Sequence, residues 1–342
     1  MVLCTNYPMD MPGRGLRYLL LASSLIFLIG LSLIPRPGLG SRGGGGLLII
    51  TTFPSLAQDL ELLVCDDDEV ISLVPAGADP HEYQLRPSDL EVLREADLIV
   101  STGHTPMEVE IRDMVDRGEL GATLVEVPGV PGMRFLVNPS TGQPNYHMPI
   151  YDPVNYERFI AHLSTVLAHL RPERRVEYEE NARRLRDCVE GLLGRAPKLD
   201  FTAVADLPVV QYAVSWLGIE ITSFVLKEPG APATPGDLME LEEALANHEV
   251  DLVIVCQPTV ASASKELEAL AKEHGLPILY VPSPMEPSPI LDKLSVILDQ
   301  ALGLAGRTPG PGHRAPWGGI LILLSSILVA SVLAAVEVYG KD

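Results

Sequence analysis

The sequence predicts an α/β fold with two lobes, each carrying a parallel sheet, joined by a long rigid helix. Two observations support this class. Short apolar runs typical of strands alternate with amphipathic stretches typical of helices, and this alternation indicates parallel sheets. One long charged helical stretch, residues 172–196, separates two such series and is suited to bridging two lobes. The expected architecture is therefore two Rossmann-like lobes with a ligand cleft between them, at the carboxyl ends of the strands.

The first lobe is predicted to span residues 47–172. Apolar runs bounded by turn formers predict its strands, which are "LLIITTF", "EVISLVP", "LIVSTG" and "GATLVEVPG". Apolar residues at helical spacing predict its helices, "PSLAQDLELLV" and "RPSDLEVLREAD". The loop "GQPNYHMPIYDPVNYERF" is rich in turn formers and closes the sheet, and "DPVNYERFIAHLSTVLAHL" is predicted to be a helix.

The linking helix is predicted over residues 173–197 and the second lobe over residues 198–305. Pro172 separates the linking helix from the preceding one, because proline removes an amide donor and restrains its predecessor. The second series has the strands "FTAVAD", "IEITSFV", "VDLVIVC" and "PILYVP". Its helices are "PVVQYAVSWLG", "TPGDLMELEEALANHE", "SASKELEALAKEHG" and "LDKLSVILDQALGLAG".

Apolar segments near both termini predict attachment to a membrane. Residues 1–46 hold an apolar run over 16–34 that is preceded by Arg14 and carries no charge after Arg17, and a Gly-rich linker follows it. This run is predicted to be a signal peptide or an uncleaved anchor. Residues 306–342 hold a linker and a second apolar segment, 317–339, long enough to span a bilayer. The positive charges before the first segment place the body on the extracytoplasmic side.

Charge and cysteine content exclude two other classes of function. The formal net charge of −20 argues against a nucleic-acid partner. The four cysteines show no CxxC pairing, so a zinc-thiolate site is not expected. Three of them, Cys65, Cys188 and Cys256, lie in the body, where one disulfide at most could form.

Three of the eight histidines lie where a cleft site would need them. His81 and His104 follow two predicted strands of the first lobe, and His147 lies in the loop that closes its sheet. Such loops can meet at one edge of a sheet, and imidazole nitrogens are common ligands of zinc. The pattern therefore predicts a transition-metal site, which should lose affinity below about pH 6.5 because zinc binds neutral imidazole.

Several segments of the body together resemble the zinc and manganese ABC-transporter solute-binding proteins. These are "TTFPSLAQDL", "SLVPAGADPHEYQLRPSDL", "EADLIVSTG", "NYHMPIYDPVNYERFIAHL", "EPGAPATPGDLMELEEALANHEVDLVIV" and "ILYVPSP", within residues 47–303. By this resemblance, His81 is the first metal ligand and His147 the second. The third ligand should fall within "VADLPVV", where Asp206 is the candidate donor. Pro282 or Ser283 occupies the place of the fourth, an aspartate in the family.

The departures from the family pattern lead to a modified ligand set. His104 offers a compensating donor within the first lobe, with Glu108 as a possible neighbour, so the predicted ligands are His81, His104, His147 and Asp206. The competing interpretation of Asp206 is a helix cap before "PVVQYAVSWLG". A nitrogen-rich set favours Zn²⁺ over Mn²⁺.

The predicted function is capture of a divalent cation by a membrane-anchored, extracytoplasmic binding component that passes it to an ABC permease, without enzymatic activity. One alternative is a degenerate relative with a different ligand or an adhesive role, which the missing ligands favour. A metal-dependent hydrolase is a second alternative, because three histidines with an open position could activate water. No HExxH or other zinc-hydrolase signature is present.

Overall fold

The computed structural model describes residues 45–227, 233–259 and 261–307, in which two four-stranded sheets have only parallel pairings. The first sheet contains β1 (Leu48–Thr51), β2 (Glu69–Ser72), β3 (Leu98–Ser101) and β4 (Thr123–Glu126), in the order β2-β1-β3-β4. The second contains β5 (Phe201–Ala205), β6 (Ile219–Phe224), β7 (Leu252–Gln257) and β8 (Ile278–Pro282), in the order β6-β5-β7-β8. The predicted α/β class and its two parallel sheets are confirmed.

The central strands of the first sheet are buried along their whole length. Every residue of β1 and of β3 is buried, and both strands are almost continuously apolar because helices cover both faces of a parallel sheet. The edge strand β2 begins with an exposed residue, Glu69. This burial difference explains why uninterrupted apolar runs, rather than alternating ones, mark the central strands in the sequence.

Three helices connect the strands of the first lobe, namely α1 (Pro54–Glu61), α2 (Pro87–Glu95) and α3 (Pro106–Asp116). Helices α1 and α2 were predicted from the sequence, whereas α3 was not. At its start Glu108 accepts a hydrogen bond from the backbone N–H of Thr105, and Met107, Ile111 and Met114 form its buried apolar stripe. The spacing of this stripe was the signal for α3 that the sequence analysis overlooked.

The remaining helices lie at or near their predicted positions. They are α4 (Pro153–Leu170), α5 (Arg175–Arg195), α6 (Gln211–Ser215), α7 (Pro235–Ala246), α8 (Ser262–Glu273) and α9 (Ile290–Leu304). α6 is shorter than predicted because its first residues form a separate 3-10 turn, Pro208–Val210. Thr234 caps the start of α7, since its hydroxyl accepts a hydrogen bond from the backbone N–H of Asp237.

One buried apolar cluster extends through both lobes. It includes residues of β1, α4, α5, β5 and α9, so the linking helix α5 packs into the same core that the two sheets share. One smaller cluster lies on the outer side of each sheet. The exact division into residues 47–172, 173–197 and 198–305 stays a prediction.

No helix among the described residues is both long enough and apolar enough to cross a membrane. The two predicted membrane segments, residues 16–34 and 317–339, lie outside the described residues.

Candidate metal centre

A cleft of about 600 Å³ lies between the lobes, and residues of both lobes line it. The first lobe contributes the loop after β2, the end of β3 and the segment before α4, whereas the second contributes segments that follow β5, β7 and β8. The carboxyl ends of parallel strands therefore border the cleft, as expected for an open α/β sheet. All four predicted ligands, His81, His104, His147 and Asp206, line it.

The three histidines form one cluster. Their ring centroids are 5.6 Å apart for His81 and His104, 6.0 Å for His81 and His147, and 4.9 Å for His104 and His147. One potential ligand atom from each ring lies within 4.8 Å of the others, and no other such group of three or more occurs among the described residues. Three nitrogens at this spacing can converge on one metal ion, which binds imidazole at about 2.0–2.1 Å.

Each ring is oriented by the side chain two residues before it. The Nδ1 atoms lie 3.2 Å from Asp79 Oδ1 for His81, 3.1 Å from Thr102 Oγ1 for His104 and 3.0 Å from Asn145 Oδ1 for His147. Since these oxygens accept from Nδ1–H, Nε2 is left as the ring nitrogen available to a metal, the arrangement typical of metal-binding histidines. The Nε2 atom of His104 is buried and has no hydrogen-bond partner.

Behind His104, the carboxylate of Glu108 is fully buried and gathers several donors. It accepts hydrogen bonds from the hydroxyls of Thr52 and Thr102 and from the backbone N–H groups of Thr102, His104 and Thr105. Burial by itself raises the pKa of Glu108, but these hydrogen bonds outweigh it and lower the pKa below the ordinary value. Because the Thr102 hydroxyl donates to this carboxylate, it accepts from His104 Nδ1.

His147 is tied to the second lobe through Asn145. The Asn145 side-chain amide donates to the backbone carbonyl of Pro208 at 2.8 Å and to Gln211 Oε1 at 2.7 Å. In return, the Tyr212 hydroxyl donates to the backbone carbonyl of Asn145 at 2.6 Å. The residue that orients a first-lobe ring is therefore held by residues beyond β5, so the position of His147 depends on how the two lobes are packed.

The protonation states of two rings favour metal binding. Burial, reinforced by repulsion from the other two imidazoles, lowers the pKa of His147 to about 3. Burial also lowers the pKa of His104, although the nearby Glu108 carboxylate opposes this shift. Neutral imidazole is the form that binds a metal, so these two rings are ready to do so at neutral pH.

Asp206 lies at the cleft but outside the histidine cluster. Its side chain is fully buried, and both carboxylate oxygens accept from the backbone N–H of Cys256 in β7, at 3.1 and 3.0 Å. Burial raises the pKa of Asp206 to about 7, although the hydrogen bond from Cys256 lowers it. Asp206 does not cap the turn at Pro208–Val210, which has no side-chain cap. Its role as fourth ligand stays an untested prediction, and the direction of its carboxylate toward the Cys256 N–H argues against that role.

The three histidines were predicted from the sequence, but none of the three residues that orient their rings was predicted. Asp79, Thr102 and Asn145 each stand two positions before a histidine, so a repeated polar-x-His pattern was present in the sequence. Glu108 was considered only as a possible neighbour of His104, and it lies 3.9 Å from Nδ1 of that ring. The missed signal was a spacing shared by three loops far apart in the chain.

Comparison with protein families finds one match that covers most of the chain. The family model described as "Zinc-uptake complex component A periplasmic" (ZnuA) matches residues 49–292. These residues contain both sheets, all three histidines and Asp206.

Solved structures of the same kind share the fold. The periplasmic zinc-binding protein TroA from Treponema pallidum aligns with a TM-score of 0.62 and 17% identity, over 77% of this chain and 100% of its own. The solute-binding protein FpvC from Pseudomonas aeruginosa, solved in complex with Mn²⁺, aligns with a TM-score of 0.61 and 21% identity, over 76% of this chain and 98% of its own.

The curated relatives match shorter stretches. The manganese-binding lipoprotein MntA from Halalkalibacterium halodurans is 34% identical over 93 residues, which are 26% of this chain and 31% of MntA. The metal ABC transporter substrate-binding lipoprotein FimA from Streptococcus parasanguinis is 39% identical over 83 residues, 24% of this chain and 26% of FimA. The matched stretches therefore span less than a third of these relatives' length.

Proposed function

Because the chain belongs to the family of periplasmic zinc-uptake component A (ZnuA) proteins, we propose that it is the substrate-binding component of a metal ABC transporter. It captures a divalent cation in the cleft between its lobes and delivers the cation to a permease. The observation that carries this proposal is the cluster of three imidazoles, each oriented through Nδ1 by an oxygen two residues earlier. It binds its substrate without chemical conversion.

His81, His104 and His147 are the ligands in this proposal, and zinc is the preferred ion. Three neutral imidazoles form a nitrogen-rich set, which suits zinc better than manganese because manganese prefers more oxygen donors. The test is metal analysis of the purified full chain after extensive dialysis. One equivalent of zinc per chain supports the proposal, whereas a chain that retains no transition metal and does not bind added zinc would refute it.

Zinc binding should fall less steeply with pH in mildly acidic solution than it would at a site of three ordinary imidazoles. A site of three ordinary imidazoles would lose up to about a thousandfold in affinity per pH unit below about 6.5, since each ring takes up one proton. The lowered pKa values of His104 and His147 mean that protons compete for these rings only at lower pH. We expect a loss of about tenfold or less per unit between about pH 6.5 and 5. Competition with a zinc indicator measures it, and a thousandfold loss per unit would contradict the expectation.

The Asp206→Asn variant tests whether Asp206 is a metal ligand or a structural carboxylate. Its Oδ1 can still accept from the Cys256 N–H, and because the pKa of Asp206 is raised to about 7, the carboxylate that it replaces is only partly ionised near neutral pH. We expect zinc affinity within about a factor of three of the parent, against the roughly 10-fold or larger losses typical of disturbed metal sites. A tenfold or larger loss in a zinc titration, with unchanged thermal stability of the metal-free protein, would make Asp206 the fourth ligand.

The body of the protein is proposed to lie on the extracytoplasmic side of the membrane. Membership of a periplasmic family supports this location, as do Arg14 and Arg17 before the first apolar segment. Protease added to intact cells is therefore expected to digest the body, with a cytoplasmic protein as the protected control. Protection of the body until the cells are lysed would overturn the proposed topology.

A further inference from the structure

The cleft beside the three histidines is larger than a metal ion requires. Its volume of about 600 Å³ falls within the range of about 300–1,000 Å³ that is typical of pockets for small organic ligands. A bare ion held by three imidazoles occupies a small fraction of such a space. The size of the cleft thus matches a ligand with an organic body.

The second lobe lines this space mainly with apolar side chains. The apolar residues that it contributes include Leu207, Pro208, Val209, Leu226, Pro258 and Met285. A hydrated ion gains nothing from such a wall, whereas an organic ligand releases water from its own apolar surface when it packs there. We name these six residues the apolar wall.

The second lobe adds no carboxylate to the histidine cluster. The Asp206 carboxylate is directed to the Cys256 N–H, and Glu286 is an exposed residue of the cleft lining. Three neutral imidazoles bring no charge to the ion, and the carboxylates of Asp79 and Glu108 lie beside the Nδ1 atoms of His81 and His104 rather than beside the ion. A ligand that neutralises the ion directly is therefore favourable next to an apolar surface. Zinc also takes at least one further ligand. The open position therefore suits a donor atom that is negatively charged and comes from outside the protein.

We infer that the cleft receives its metal ion as a complex with a small organic chelator, whose anionic oxygen and nitrogen complete the coordination begun by the three histidines. The apolar body of the chelator packs on the apolar wall, so the second lobe recognises the chelator and the first lobe recognises the ion. This inference rests on the proposed function and specifies the form in which the ion is captured.

Two chelators with the same donor atoms test the inference. 8-Hydroxyquinoline binds zinc through a phenolate oxygen and a ring nitrogen on an apolar body, and its 5-sulfonate derivative adds a charge to that body. Each is titrated into the zinc-loaded full chain in about 0.5 M salt, which screens repulsion by the acidic protein. Zinc-chelate fluorescence and equilibrium dialysis report binding. We expect the unsulfonated chelator to bind at least about 10-fold more tightly than the sulfonate.

A pair of leucine variants locates the chelator. Leu226 is a half-buried residue of the apolar wall, so Leu226→Gln should weaken binding of 8-hydroxyquinoline to the zinc-loaded chain by about 10-fold. It should leave the affinity for zinc alone unchanged. Leu302→Gln, at a partly exposed position of α9 outside the cleft lining, is the matched control and should change neither affinity.

The outcomes separate this inference from the proposed function. If the chelators remove zinc without forming a ternary complex, or if both bind equally well, the inference is wrong while zinc binding still supports the proposed function. An unchanged chelator affinity in Leu226→Gln would also overturn it. A chain that binds neither zinc nor its chelator complexes would refute both.

Discussion

Replacement of His104 by alanine is expected to weaken zinc binding by about 100- to 10,000-fold. Apparent binding energies at structural zinc sites are roughly 10–16 kcal/mol, so one of three protein ligands accounts for about 3–5 kcal/mol. The loss should be as large as for His81→Ala and His147→Ala, because all three rings share one cluster. Isothermal titration or indicator competition with the purified full chain measures each dissociation constant.

The control for this series is His169→Ala. His169 lies on the exposed side of α4 and is not part of the cluster, so its removal should leave zinc affinity unchanged. His104 is the decisive position, since of the three histidines the resemblance to known binding proteins by itself implied only His81 and His147. If His104→Ala binds zinc as tightly as the parent, the three-histidine site is wrong.

Replacement of Glu108 by alanine should lower the free energy of unfolding of the metal-free protein by about 3–5 kcal/mol. Buried donors left unpaired cost about 1–3 kcal/mol each, and this carboxylate serves three backbone N–H groups and two hydroxyls. The same change should weaken zinc binding by about 10- to 100-fold. Without Glu108, the Thr102 hydroxyl loses the acceptor of its hydrogen, and its oxygen is no longer held in place to accept from His104 Nδ1. Denaturant unfolding and zinc titration measure the two effects.

Glu110→Ala is the matched control, because Glu110 is an exposed residue of the same helix, and it should change stability by no more than about 0.5 kcal/mol.

The buried carboxylate of Glu108 should also make the stability of the protein depend on pH. Its pKa is lowered in the folded state, so its contribution is fully present above the ordinary glutamate pKa and is lost as the pH falls through the lowered value. Equal stabilities of Glu108→Ala and the parent would show that the buried carboxylate contributes nothing.

Much of the fold could be predicted from the sequence because parallel sheets leave a strong local signal. Strands such as β1 and β3 are covered on both faces and are therefore continuous apolar runs between turn-forming residues. Helix α3 was overlooked because its start, behind Pro106, directly follows the loop that carries His104, and that segment was interpreted only for its possible ligands. Local sequence signals therefore predict individual strands and helices, but not how these pack against one another.

The sequence could not predict contacts between residues that are distant in the chain. Asp59 of α1 accepts hydrogen bonds from the Tyr156 hydroxyl of α4 and from the backbone N–H of Ile290 at the start of α9, each at 2.9 Å. The direction of the Asp206 carboxylate could not be predicted either. An aspartate before a turn can face a metal, cap a helix or accept a hydrogen bond from the backbone of a neighbouring strand. Only the pairing of β5 with β7 brings the Cys256 N–H to it.

The sequence by itself determined the α/β class and the three loops that carry histidines, since both depend on residue order and local spacing. The tertiary structure decided that these loops meet within 4.8 Å, that each Nδ1 is occupied by an oxygen two residues earlier, and that the second lobe faces the cleft with an apolar wall. The physical reason is that coordination and hydrogen bonding depend on distances of a few ångströms, which are set by the packing of whole strands and helices rather than by neighbours in the chain.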